Sequence, residues 1–361
     1  MSAAAPGAIA VERLLARDKR SLGRAVSLCE DARAEAAAAR ARIVAALAAH
    51  PERRRARLIG VTGPPASGKS SLISELAPRV VALRPQAAVA VLAVDPTSPR
   101  SGGALLGDRV RVRFPPADSR FFFRSQATDL ELGGLGRHTF AVCRLLQHLF
   151  DAVLVETVGV GQSEVEVHHL VDRTYLVLPP LWGDAVQLMK AGILEIPDAV
   201  VLSKQDLGPA GASGPGPGAG SGGSVSGSGA GSGAGSGTPS VPSSGPAAAV
   251  LAAALERDGR PMVVHGVSAH TGSGLEPLAA EVASLLDGDG GSGAPLDGRE
   301  GYFFGRWVRA EFGRHGLAAL GARGLDPERF AREAGGYDAA VAAFPSSHRR
   351  WLSIDGPAHG A

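Results

Sequence analysis

Asparagine is absent from this 361-residue chain, and lysine is nearly so, at four residues against 33 arginines. Such a bias fits a genome that avoids A-rich codons, and it makes each surviving lysine worth locating: Lys19, Lys69, Lys190 and Lys204. Cysteine is limited to Cys29 and Cys143, which form no CxxC pair, so a disulfide scaffold and a structural zinc module are excluded. One of the longest apolar runs, Ala87 to Val94, has eight residues. That is far short of the roughly 18 that span a bilayer, which excludes an integral helical membrane protein. The first residues reach Glu12 and Arg13 without a basic region followed by an apolar stretch, so a secretory signal is not read and the expected location is cytoplasmic. A net charge of only +2 argues against nucleic acid as the partner of the whole chain, and no membrane partner is expected.

The charge is nonetheless uneven. Residues 1–57 carry twelve Lys and Arg against six Asp and Glu, ending in Arg53, Arg54, Arg55 and Arg57. A solvated helix face accounts for most of this, with a basic docking surface as the alternative. Residues 1–56 read as a helical extension, with helices from Arg13 to Cys29 and from Ala32 to Ala49, closed by His50-Pro51. From Arg57 the pattern changes. Short apolar runs at Leu58–Thr62, Val89–Val94, Ala152–Glu156, Thr174–Leu178, Ala199–Leu202 and Met262–Val267 alternate with helical stretches starting near Lys69, Leu135, Asp184, Ala247 and Leu275. This predicts an α/β fold with a mostly parallel sheet flanked by helices. Its core is expected over 57–207 and 250–287. The intervening 208–249 is almost wholly Gly, Ser, Pro and Ala and reads as a flexible insertion. A linker and a helical segment with Trp307, Phe312, Phe330, Phe344 and Trp351 follow over 288–361.

Chemistry enters directly after the first strand. Gly63-Pro64-Pro65-Ala66-Ser67-Gly68-Lys69-Ser70 matches GxxxxGK[ST] in full and opens into a helix through Ser71. Glycines at these positions let backbone N–H groups approach phosphate oxygens, while Lys69 reaches the β- and γ-phosphates and the Ser70 hydroxyl ligates Mg²⁺. A nucleoside triphosphate is the expected ligand of this P-loop. Asp95 closes the second strand, and a loop with Gly102 to Asp108 follows. Ala152-Val153-Leu154-Val155-Glu156 is an apolar strand ending in an acid, with Gly159 three residues on. That spacing lets Glu156 approach the metal or its water while the Gly159 N–H meets the γ-phosphate. Ser203-Lys204-Gln205-Asp206 ends another strand as SKxD. Asp206 can accept from guanine N1–H and the exocyclic amine, a donor pair adenine lacks, and Lys204 would lie along the base. Ser268-Ala269 after the last strand would complete the base pocket.

Together these residues resemble the methylmalonyl-CoA mutase-associated GTPases of the MeaB/ArgK type, within the SIMIBI class of P-loop GTPases. The resemblance covers about residues 12–206 and 262–286. It is carried by Val94 to Ser98, by Gly102 to Asp108 ending in LGD, by Glu156 to Glu164, by Leu15 to Leu22 and by Gly183 to Gly192. It implies a Mg²⁺-dependent GTPase that binds GTP and GDP and acts as a chaperone or gatekeeper for a cobalamin-dependent acyl-CoA mutase, as a homodimer. By the same resemblance Lys69, Ser70, Asp95, Asp108 and Glu156 serve phosphate and metal, and Asp184, Gln187 and Lys190 couple nucleotide state to a partner. Ser203 stands where the family has Asn, and Ser125 to Leu132 (SQATDLEL) departs from the family pattern. Three alternatives remain: a metal-insertion GTPase, for which His168-His169 is the only adjacent histidine pair; a kinase of a transport protein; and a GTP-sensing adaptor without meaningful hydrolysis.

Overall fold

The computed structural model describes residues 9–31, 33–95, 114–127, 135–136, 138–157, 163–179, 197–207, 256–257, 260–287 and 296–354. Three helices come first: Val11–Leu15 (α1), Lys19–Cys29 (α2) and Ala34–Ala49 (α3). The single helix expected from Arg13 to Cys29 is interrupted because Asp18 accepts from the Ser21 N–H and starts a new helix. Strands and helices then alternate: Arg57–Thr62 (β1), Lys69–Leu83 (α4), Val89–Asp95 (β2), Phe121–Ala127 (β3), Thr139–Leu146 (α5), Ala152–Glu156 (β4), Ser163–Leu170 (α6), Arg173–Leu178 (β5) and Ala199–Leu202 (β6). Glu256–Arg257 (β7) and Arg260–Pro261 (β8) form a small antiparallel ladder, followed by Val263–Gly266 (β9) and Leu275–Leu285 (α7).

Seven strands make one sheet in the order β3-β2-β4-β1-β5-β6-β9, and every adjacent pair is parallel. All carboxyl ends therefore lie along one edge. The chain runs from β1 outward to β2 and β3, returns to insert β4 beside β1, and then builds the other side with β5, β6 and β9. The order reverses at β1, the place where open α/β sheets bind ligands. Alternate residues of each strand face opposite layers. Ile59, Val61, Val91 and Leu154 pack beneath α4 and α7, and Leu58, Leu92, Val153 and Val155 face the layer holding α2, α5 and α6.

β3 was not read from the sequence. Its Phe121-Phe122-Phe123 run is short, its second half is Arg124-Ser125-Gln126, and as an edge strand it needs to bury less. α5 begins at Thr139 rather than near Leu135. The helices expected near Asp184 and Ala247, and the insertion at 208–249, lie outside the described residues.

The C-terminal segment is helical as expected: Leu296–Gly321 (α8, broken at Gly313), Pro327–Ala334 (α9) and Tyr337–Ile354 (α10). Phe304, Trp307, Phe330 and Phe344 form its aromatic centre. These helices pack on the N-terminal ones through buried charge. Asp338 accepts from Arg40 Nε at 2.8 Å and from Arg144 Nε at 3.0 Å, while Glu300 pairs with Arg144 and accepts from the Tyr337 N–H. Among the described residues no helix is long and apolar enough to cross a membrane.

Candidate nucleotide site

The loop after β1 turns sharply because its glycine has no side chain. Gly63 sits at φ +138°, and a Cβ there would lie 2.1 Å from the Val177 carbonyl oxygen on β5. The loop thus lies directly against the neighbouring strand. Ala66 also has a positive φ of 61°, an uncommon conformation for a side-chain-bearing residue. Ser67, Lys69 and Ser70 are buried, Gly63 likewise, and Pro65, Ala66 and Ser71 face solvent. Lys69 Nζ donates to the Gly63 and Pro64 carbonyls at 2.8 and 3.0 Å, which holds its charge inside the turn at the start of α4.

β4 brings the acid to this helix start. Parallel register sets Glu156 beside Val61, and Ser70 Oγ donates to Glu156 Oε1 at 2.7 Å. The next pair along the two strands, Thr62 and Thr157, share a hydroxyl–hydroxyl bond of 2.8 Å. Sequence reading missed these threonines. Their signal was available, since each directly flanks a predicted site residue at a strand end. Ser67 Oγ is buried and has no hydrogen-bond partner among the described residues. A polar atom left so inside a glycine-bounded turn, beside a lysine and the Ser70–Glu156 oxygen pair, fits an anionic phosphate chain carrying a hard cation.

The SKxD segment lands on the same edge. Ser203 Oγ donates to the Ser67 carbonyl at 2.5 Å and lies 3.1 Å from the Leu178 carbonyl, tying the P-loop to β5 and β6. Lys204, at φ 54°, donates from Nζ to the Ala66 carbonyl at 2.8 Å and so lies across the loop. Asp206 is exposed, and its Oδ1 accepts from Ser268 Oγ at 2.6 Å, which lowers the carboxyl pKa and fixes its direction. Ser268 also accepts from the Thr271 N–H, and Ala269 follows it, half-buried. The site is thereby assembled from the ends of β1, β4, β6 and β9. Asp95 ends β2 in register with Ala127 on the same edge. Asp108, Gly159, Asp184, Gln187 and Lys190 lie outside the described residues. His169 of the adjacent histidine pair packs its ring on Tyr302 at 4.6 Å.

A protein-family model, "Methylmalonyl Co-A mutase-associated GTPase MeaB", matches residues 22–215. The chain belongs to this family. Relatives within reach include a Pyrococcus horikoshii protein named as a GTPase, 41% identical over 197 residues that are 54% of this chain and 60% of that protein. The mouse protein named methylmalonic aciduria type A homolog, mitochondrial, is 42% identical over 149 residues, 41% of this chain and 35% of its own. The chain thus spans about 60% of the length of the Pyrococcus horikoshii protein and of a Caulobacter vibrioides relative. A solved structure described as LAO/AO transport system kinase superposes with a TM-score of 0.53 at 22% identity, covering 95% of both chains. That likeness concerns the fold alone. The MeaB-family match spans the P-loop, β4 and SKxD, the three segments that converge at the sheet edge.

Proposed function

We propose that this MeaB-family chain is a Mg²⁺-dependent GTPase that converts GTP and water to GDP and phosphate, and that it acts as a chaperone or gatekeeper for a cobalamin-dependent acyl-CoA mutase. The observation that carries the nucleotide reading is the meeting of Lys69, the Ser70–Glu156 pair and the Ser268-oriented Asp206 at one sheet edge. The mutase reading rests on membership of a family described as methylmalonyl-CoA mutase-associated GTPases.

Each residue then has a task. The turn from Gly63 to Gly68 binds phosphate oxygens through main-chain N–H groups, and Lys69 neutralises their charge. Ser70 and Glu156, with Asp95 and Asp108, would hold Mg²⁺. Held by these residues, the ion would supply positive charge to offset the negative charge that builds in the transition state. Asp206 accepts from the guanine edge, Lys204 covers the base, and Ser203 with Ser268 and Ala269 supports the pocket. The protein contributes positioning and electrostatics rather than a covalent nucleophile, which suits a slow switch. Gly159 and the segment with Asp184, Gln187 and Lys190 would relay loss of the γ-phosphate to the partner. The working unit is read as a cytoplasmic homodimer with its core over 57–207 and 250–287.

Calorimetry with GTP and ATP, with and without Mg²⁺, tests the first half, followed by hydrolysis assays with and without a purified cobalamin mutase. Guanine selectivity and mutase-dependent stimulation are expected. Equal affinities for the two nucleotides would overturn the guanine assignment, and an unstimulated wild type would overturn the mutase assignment.

A further inference from the structure

Four of the basic residues near the start of the chain share one groove. A groove of about 770 Å³ runs between α2 and α3, with no P-loop residue in its lining, and Lys19, Arg20, Arg24, Arg42 and Arg124 line it. The nearby acids are already engaged: Asp31, which also lines the groove, is bound by Arg33, and Glu30 pairs with Arg124. Lys19 donates to the Pro115 and Pro116 carbonyls, and Arg20 lies near enough to Asp18 to favour its carboxylate. Arg42 is exposed and has no acidic partner among the described residues. Five basic side chains against one acid leave the lining net positive, with Arg124 already paired to Glu30.

The floor is small and apolar. Gly23 and Leu28 line it from α2, and Ala39, Ile43 and Ala46 from α3. Gly23 is the telling residue. It sits inside a helix, where glycine is less favourable than alanine. A Cβ added there would meet nothing within 4 Å, so no contact among the described residues requires the missing side chain. The lining positions 20, 23, 24, 27 and 28 on α2, and 39, 42, 43 and 46 on α3, follow helical spacing over about 10–12 Å, or roughly two turns.

We propose that this groove docks an acidic amphipathic helix of a protein partner. α2 and α3 supply most of the lining, and their main-chain groups are already paired, so an extended segment laid along them would find no backbone partners. An occupant must satisfy its own backbone, as a helix does. Small floor residues let its axis come close, and its carboxylates meet the arginines along both rims. A compact anion such as phosphate would engage one or two of these cations and leave the apolar floor wet.

The test uses the full chain and a synthetic peptide of about 18 residues, long enough for five turns, with an Ala/Leu stripe flanked by glutamates. Binding is read by fluorescence anisotropy. The peptide is expected to bind, a scrambled peptide of equal charge at least about tenfold more weakly. Gly23→Leu, whose Cβ meets no atom within 4 Å, and the double variant Arg24→Glu with Arg42→Glu should each weaken binding at least about tenfold while GTP affinity, the control for folding, stays unchanged. Four results would overturn the proposal: no peptide binding, equal binding of the scrambled peptide, indifference to these variants, or binding of phosphatidylglycerol vesicles or single-stranded DNA in place of the peptide.

Discussion

Replacing Gly63 with alanine probes the link between the P-loop and the sheet. The added Cβ would lie 2.1 Å from the Val177 oxygen, a backbone atom that cannot rotate away, and φ is +138°. Restoring an ordinary carbon–oxygen contact requires the loop and β5 to separate by about 1 Å. Strain at such a backbone angle adds about 1–3 kcal/mol. A combined cost of about 3–5 kcal/mol is expected, a fall in melting temperature on the order of 10 °C for a domain of this size. A loop displaced by about 1 Å should also lose about a hundredfold in nucleotide turnover. Gly68→Ala is the internal comparison. It shares a positive φ of 94°, yet its Cβ would meet the Lys204 Cε only at 3.8 Å, an ordinary contact. It should cost about 1–2 kcal/mol. Thermal denaturation and nucleotide titration of both variants decide the matter: a Gly63→Ala protein that melts no lower than Gly68→Ala would refute the assigned steric role of Val177.

Two other perturbations report on the frame. Asp338→Ala leaves the guanidiniums of Arg40 and Arg144 without their shared carboxylate, and chemical denaturation should register a loss of about 3–5 kcal/mol. Glu281 on α7 tests acid stability: burial raises its pKa, but hydrogen bonds with His265 and Tyr175 and the charge of Arg173 outweigh burial and hold it at about 2, below the ordinary 4.5. A depressed carboxylate pKa stabilises the folded state above pH 4.5, and that contribution is lost as pH falls from 4.5 toward 2. Glu281→Gln should flatten this limb of the stability profile, and an unchanged limb would remove the assignment.

Much of the site was legible because its parts are local. A turn that cradles phosphate needs glycine at fixed offsets, so Gly63, Gly68 and Lys69 announce themselves within eight residues, and the flanking strand and helix follow from hydrophobic period. Glu156 was legible as an acid closing an apolar strand, although its hydrogen bond to Ser70, 86 residues away, depends on β4 lying beside β1. Ser203 shows the limit. As a residue it reads only as a departure from the family's Asn, whereas its bond to the Ser67 carbonyl spans 136 residues and needs β6 to be placed two strands from β1. β3 escaped detection for a related reason, because an edge strand is stabilised by its pairing with β2 more than by its own apolar content.

The buried charges that join α3, α5, α8 and α10 also impose an order on synthesis. Arg40 and Arg144 leave the ribosome long before Glu300 and Asp338, so through most of translation their guanidiniums must remain hydrated and the apolar surface around them uncovered. The nascent chain can close its sheet around the P-loop early, but the layer over α2 and α5 is sealed only when the last helices arrive. A product ended before Asp338 would therefore keep an intact nucleotide loop on a body with one raw face, competent to bind yet exposed to aggregation and proteolysis.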